Sequence, residues 1–284
     1  MERKIIPLQE LPLKNDFMFG QVMRSPDICK LFLEELLGKE IDRIEYIENQ
    51  KEISDSYEHH GIRLDVYLRD DARTVYAIEM QTTNKRDLEL RVRFYQGSID
   101  RNELLKGHAY SALSESFVIF ICDFDYFGTG LAVNERVSYI KDTNVAYEDG
   151  SHVIFLNSRY TEANAGPAIK EYLDYIRTND DTGNYTTELL RRTVEKVQEV
   201  RSDDKMEVSY MMWELKYQDA VAEGRVEGRA EGRAEGRAEG IANGVITSIK
   251  NLMKNTDWPV EQAMTALGVP QEEWSKYVKL LAEQ

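Results

Sequence analysis

Between residues 62 and 81 the chain twice takes up the two-residue alternation of a β-strand, with a short polar break between the runs, and no helix accommodates that pattern. In the first run Ile62, Leu64, Val66 and Leu68 share one face, leaving Arg63, Asp65 and Tyr67 on the other, because successive strand side chains point to opposite sides. Residues 69–74 make a polar turn. On the return, residues 75–81, Glu79 and Gln81 stand two apart and share a face, while Ile78 and Met80 take the opposite one. The economical reading is a hairpin carrying Asp65, Glu79 and Gln81 on a common side.

The flanking segments set this hairpin in an α/β context. Apolar residues at helical spacing over 14–37, interrupted at Ser25-Pro26 and closed by Gly38, predict two short helices. A strand is expected within 41–53, a helix over 88–105, and buried strands at 117–122 and 153–156. This order predicts a mixed α/β sheet flanked by helices, a domain of residues 1–160. Beyond it the pattern is helical, broken at 179–184, and divides into an extension (161–220), a tetrapeptide repeat (221–243) and a small helical unit (244–284).

The repeat places glutamates at 223, 227, 231, 235 and 239, each followed by glycine, with arginines at 225, 229, 233 and 237. On a helix these residues separate into four stripes, Arg opposite Glu and Gly opposite Ala/Val. Like charges then recur at i,i+4, and each glycine costs about 1 kcal/mol relative to alanine, so such a helix does not stand well alone. It either associates with a copy of itself, small faces approaching and Arg stripes meeting Glu stripes, or serves as a flexible Gly-rich linker. Residues 245–253, 259–267 and 271–281 are expected to form three short helices, with either a helix-turn-helix cadence or a plain helical cap around Leu267-Gly268-Val269.

Hydrophobic residues make up 42% and charged residues 31% of the 284-residue chain, a soluble globular balance. Its longest apolar run, 117–122, is strand-sized, so no membrane association or secretion is expected. Cys29 and Cys122 sit far apart in apolar runs and read as buried hydrophobes in a reducing, cytoplasmic setting. The net charge of −15 argues against a protein that coats nucleic acid by bulk attraction, but not against an enzyme that meets phosphate through a bound cation and a local basic patch.

Two carboxylates on one hairpin face repel each other, and a divalent cation removes the conflict. Asp65, Glu79 and the Met80 backbone carbonyl are hard oxygen donors of the kind Mg²⁺ accepts, and Gln81 is placed to orient a water. The same pair also suits an ordinary solvated hairpin face. Other constellations are poorer: His59-His60 lacks further ligands at defined spacing and suits a solvated loop, no phosphate-binding Gly-rich loop with Lys-Ser/Thr occurs, and neither cysteine sits by a base.

In order and spacing, these segments resemble the Rpn family of recombination-promoting nucleases, also described as PD-(D/E)XK nuclease family transposases. The resemblance is carried by Leu13-Lys14-Asn15-Asp16-Phe17-Met18-Phe19, the Leu-rich helix after it, Arg63-Leu64-Asp65-Val66, Tyr76-Ala77-Ile78-Glu79-Met80-Gln81, Arg93-Phe94-Tyr95-Gln96 and the Glu-Gly repeats. It implies a restriction-endonuclease-like fold and Mg²⁺-dependent hydrolysis of DNA, Mn²⁺ substituting, by a cytoplasmic enzyme that associates with the nucleoid when bound to DNA. Asp65 and Glu79 are then metal ligands, and Gln81 stands where the superfamily has lysine. Asp16 becomes either an auxiliary acid or a helix-start cap. Arg91, Arg93 and Tyr95 are expected to contact substrate phosphate, in a stretch (84–106) with six basic against four acidic side chains. Gly20 departs from the family, which usually has lysine there. The rival reading is a catalytically weak or inactive DNA-associated assembly module whose repeat drives homo-oligomerisation.

Overall fold

The alternating segment is a hairpin whose strands, β2 (Ile62–Asp70) and β3 (Val75–Gln81), pair antiparallel with Val66 opposite Ile78 and Leu68 opposite Tyr76. The computed structural model describes residues 5–53 and 62–282, so His59-His60 lies outside the described residues. At the turn, the buried Asp70 carboxylate accepts the Thr74 N–H and the Tyr76 hydroxyl, each at 2.8 Å, which satisfies a charge that burial would otherwise make costly.

Strand β1 (Ile44–Ile53) extends this hairpin on one side. On the other side β3 runs parallel to β4 (Ser116–Cys122), the connection passing through α3 (Leu88–Glu103). Next to β4, and parallel to it, comes β6 (Ser151–Asn157), and β5 (Val133–Glu135) closes the far edge antiparallel, giving the order β1-β2-β3-β4-β6-β5. Every residue of β4 and all of β3 except Gln81 are buried, as central strands covered on both faces require. The register sets Gln81 beside Cys122 and Cys122 beside Asn157, so the carboxyl ends of the three parallel strands finish level.

On one face Val75, Ala77, Val118, Phe120, Val153 and Phe155 pack under Leu88, Val92, Tyr95 and Ile99 of α3. Tyr76, Ile78, Met80, Phe117, Ile119, Ile121, Ile154 and Leu156 fill the opposite face and are also buried. That side belongs to a second helical layer: α1 (Asp16–Val22) packs on β2, α2 (Pro26–Leu37) on β1, and α4 (Pro167–Thr178) and α5 (Glu188–Ser202) on α2. Local chemistry marks the helix ends. Pro26 and Pro167 open α2 and α4, while Gly38 (φ 64°) and Asn179 (φ 52°) close them in the left-handed conformation.

The chain divides into two compact units, Met1–Met212 and Trp213–Gln284. The repeat is helical throughout and lies inside one helix of 53 residues, α6 (Asp204–Thr256). Residues 245–253 are therefore a continuation of the repeat helix and not a separate short one, because glycine without proline supplies no stop and Ala242, Ile246 and Ile249 share one apolar cluster. Met264 of α7 (Val260–Ala266) and Tyr277 of α8 (Trp274–Ala282) complete that cluster. Strand β5, with three residues, is too short to leave a periodic signal.

One interaction fastens the N-terminal segment to this frame. The Arg201 guanidinium donates to the Leu11 carbonyl at 3.2 and 2.9 Å and to Asp181 at 2.5 Å, with a longer bond of 3.4 Å to Asn179. Replacing Arg201 with alanine strands the mostly buried Leu11 carbonyl and the Asp181 charge together, an expected loss of about 2–3 kcal/mol in chemical denaturation. An unchanged midpoint would show that this clamp contributes nothing.

Candidate active site

Backbone pairing between β2 and β3 ends at Val66 and Ile78, and continuing the register sets Asp65 opposite Glu79. There the side chains replace the ladder. The Glu79 Oε1 accepts the Asp65 N–H at 2.9 Å, and the Asp65 Oδ2 accepts the Met80 N–H at 3.0 Å. Each carboxylate thus bonds the backbone of the other strand, and the pair is fixed in position by main-chain donors. Because N–H and C=O of one strand residue point the same way, the Met80 carbonyl also opens toward Asp65.

Helix α3 supplies the positive partner. Arg91 and Tyr95 are four residues apart and point together at the sheet. The Arg91 guanidinium donates from Nη2 to the Glu79 Oε2 at 3.1 Å and to the Tyr95 hydroxyl at 2.7 Å, and from Nη1 to the Gln81 Oε1 at 2.8 Å. It lies 5.3 Å from the ring centroids of both Tyr95 and Phe120. Arg93 is not brought to this cluster. It is exposed on the opposite side of α3, beside a separate cavity of about 670 Å³ that it lines with Phe127, Arg136 and Phe155.

Asp16, exposed at the first position of α1, leaves the helix cap to Asn15, whose side chain accepts the Phe17 N–H at 2.9 Å. Its charge is nonetheless felt by both hairpin carboxylates. Burial pushes Asp65 up to about 6; the Met80 N–H opposes the shift, the Asp16 charge adds to it, and Arg63 and Arg91 oppose it. Glu79, only 2% exposed, is held well above the usual carboxylate range by burial first and by the Asp65 charge next.

A second network at the carboxyl ends of the strands was not foreseen from the sequence. Asp123, directly after β4, accepts Lys14 at 2.7 Å, Arg159 at 2.9 Å and the Ser158 hydroxyl at 3.0 Å, and its own N–H bonds the Gln81 carbonyl at 2.9 Å. Burial raises its carboxyl, but these bonds win and hold it below its ordinary value. Lys14, two residues before Asp16, is thereby fixed to the chain that continues from β4. No sequence signal joins residues so far apart; only the strand order does.

Among the described residues no group of three or more His, Cys, Asp or Glu side chains gathers as a ready-made metal centre. The donors here are two carboxylates, one of them unshielded enough to be half-buried, with an amide and a main-chain carbonyl nearby. That set fits a hard divalent ion that completes its shell with water and phosphate oxygens. A cavity of about 960 Å³ lies instead at the turn end of the hairpin, where Glu34, Glu35, Glu40, Asp42, Asp70, Asp71 and Glu115 outweigh Lys30 and Lys39 and make it unsuited to phosphate.

A family model described as PD-(D/E)XK nuclease family transposase matches residues 13–220, a span that includes the hairpin, α3, Asp16 and Asp123. Comparison with curated proteins and with solved structures gives no match.

Two carboxyls with raised folded-state values oppose folding once they ionise. That penalty is absent below pH of about 4, where the unfolded groups are also protonated, and grows as pH passes through about 6 for Asp65. Asp65→Asn keeps an oxygen for the Met80 N–H and removes the charge. In EDTA the variant is expected to melt a few degrees above wild type at pH 7.5 and to show no such gain near pH 4. Equal melting at both pH values would mean that the pair carries no strain.

Proposed function

Since the chain belongs to the PD-(D/E)XK nuclease family transposases, we propose that it is a divalent-metal-dependent DNA endonuclease, using Mg²⁺ with Mn²⁺ able to substitute, and that it promotes recombination or transposition-like DNA transfer. The observation that carries this reading is the Asp65–Glu79 pair, held face to face by backbone N–H groups with one guanidinium beside it. Asp65, Glu79 and the Met80 carbonyl would hold the metal, which when bound polarises the scissile phosphate and makes water a better nucleophile at neutral pH.

The chain's own groups divide the remaining work. Gln81, whose Oε1 is engaged by Arg91, keeps its amide N–H₂ to orient the attacking water, and being neutral it adds no charge of its own. Arg91 supplies the positive charge that Gln81 cannot, with Tyr95 steadying it, as negative charge builds on the phosphate oxygens. Water adds to phosphorus, one ester P–O bond breaks, and the proton given up by the water is balanced by the one taken up by the departing sugar oxygen, leaving a phosphomonoester and an alcohol. Asp16 serves as an auxiliary acid that would complete the metal shell. Arg93, with the exposed Lys85 and Arg86, contacts phosphates farther along the strand, a local attraction in a chain of net charge −15.

In the domain plan we favour, residues 1–160 carry the nuclease, 161–220 extend it, 221–243 assemble copies of the chain, and 244–284 form a helical end. Support for assembly comes from α6: a Cβ added at Gly224, Gly228, Gly232, Gly236 or Gly240 meets nothing within 4 Å, so these glycines leave an open surface narrow enough for a second helix. No helix among the described residues is long and apolar enough to cross a membrane, and a cytoplasmic, nucleoid-associated protein is the setting that suits the reading.

The decisive assay is nicking of supercoiled plasmid with Mg²⁺, with Mn²⁺ and with EDTA, comparing wild type with Asp65→Ala. Metal-dependent nicking that disappears in the variant is expected. Intact plasmid under all conditions, or a variant that cuts equally well, gives first place to an inactive assembly module. For the repeat, replacing Arg225, Arg229, Arg233 and Arg237 together with glutamate is expected to lower the mass measured by light scattering to that of a monomer. A mass unchanged by the substitution removes the repeat as the assembly element.

A further inference from the structure

We propose that Arg91 is an internal stand-in for the divalent cation: it occupies the place between Glu79 and Gln81 while the site is metal-free, and is released toward the substrate phosphate when metal binds. The inference rests on the nuclease reading given above and concerns how the site is held before catalysis.

Glu79 is almost wholly buried and needs a positive partner wherever it is ionised. Both of its oxygens are engaged by the protein, Oε1 by the Asp65 N–H and Oε2 by Arg91. The one side-chain oxygen of Gln81 is engaged by the same guanidinium. The fork of Arg91 thus bridges Glu79, the side chain through which β3 would hold a cation, and Gln81 beside it. A guanidinium keeps its charge at all relevant pH values, so it fills this role independently of proton uptake.

Arg91 also has a perch that does not depend on the carboxylate. Its guanidinium bonds the Tyr95 hydroxyl at 2.7 Å and lies over the rings of Tyr95 and Phe120. Its side chain remains 26% exposed, against 2% for Glu79, so one edge of the group faces outward. A divalent ion taking the Glu79 oxygen would repel the guanidinium and weaken that one bond while the aromatic perch stays. The N–H freed from Glu79 then joins the outward edge of the guanidinium in facing phosphate, an anion that a guanidinium binds well. Two cations competing for one carboxylate must also lower each other's affinity, since such coupling is reciprocal.

The test uses the full-length chain as wild type, Arg91→Gln and Arg91→Lys. Melting is followed at pH 8 in EDTA and in saturating Mn²⁺, and Mn²⁺ binding is followed by calorimetric titration. The expected result is that Arg91→Gln melts several degrees below wild type in EDTA and that Mn²⁺ closes most of the gap. It also binds Mn²⁺ on the order of tenfold more tightly, with Arg91→Lys between the two. An equal melting loss with and without Mn²⁺, which marks a merely structural strut, overturns the inference, as does Mn²⁺ affinity that is unchanged or weaker. In both of those cases wild type still binds Mn²⁺ and the nuclease reading survives. A wild type that takes up no Mn²⁺ overturns the inference and the metal-dependent reading together.

Discussion

The site depends on the exchange by which Asp65 and Glu79 each accept a backbone N–H from the opposite strand. An ordinary ladder would spend those donors on carbonyls and leave the carboxylates to point where their rotamers sent them. Here the last rungs are made of side chains, so the spacing of two negative groups is set by main-chain geometry. The cost follows at once. Like charges sit close together with little water, and the surroundings compensate through Arg91, Tyr95 and the rings beneath them. Local strain of this kind is tolerable only because the β3–β4–β6 core, buried on both faces, over-determines the fold.

What the sequence discloses and what it hides divide along the range of the interactions. The hairpin, the co-facial Asp65, Glu79 and Gln81, and the proline and glycine marks at the ends of α2 all follow from neighbours a few residues apart. Arg91 and Arg93 were harder to separate, since a count of basic residues treats them alike. The helical period distinguishes them once the buried face of α3 is known from Leu88, Val92, Tyr95 and Ile99. The Lys14–Asp123–Arg159 network is of another kind. Its members are brought together by strand order, and no local pattern encodes that β4 lies between β3 and β6.

The hairpin is also electrically polar along its length. Its turn end opens on an acidic groove, while the opposite end gathers its carboxylates beside Arg91, with further basic side chains exposed on the loop into α3. For a polyanion approaching an acidic protein, one end repels and the other offers contacts. The approach of such a polyanion is thus oriented by where negative charge is missing as much as by where positive charge is present.

The clamp from Arg201 to Leu11 joins groups 190 residues apart, and the Lys14–Asp123 bond spans 109. Chain synthesis therefore delivers the two acids of the hairpin long before it delivers the residues that pin the N-terminal segment beside them. A nascent chain that has just cleared α3 holds the acids and Arg91, yet its Asp16 still hangs from an unfastened end. Assembly of the site is scheduled by contact order, and the acids, Arg91 and the fastened N-terminal segment stand together only once the first unit has been made through α5.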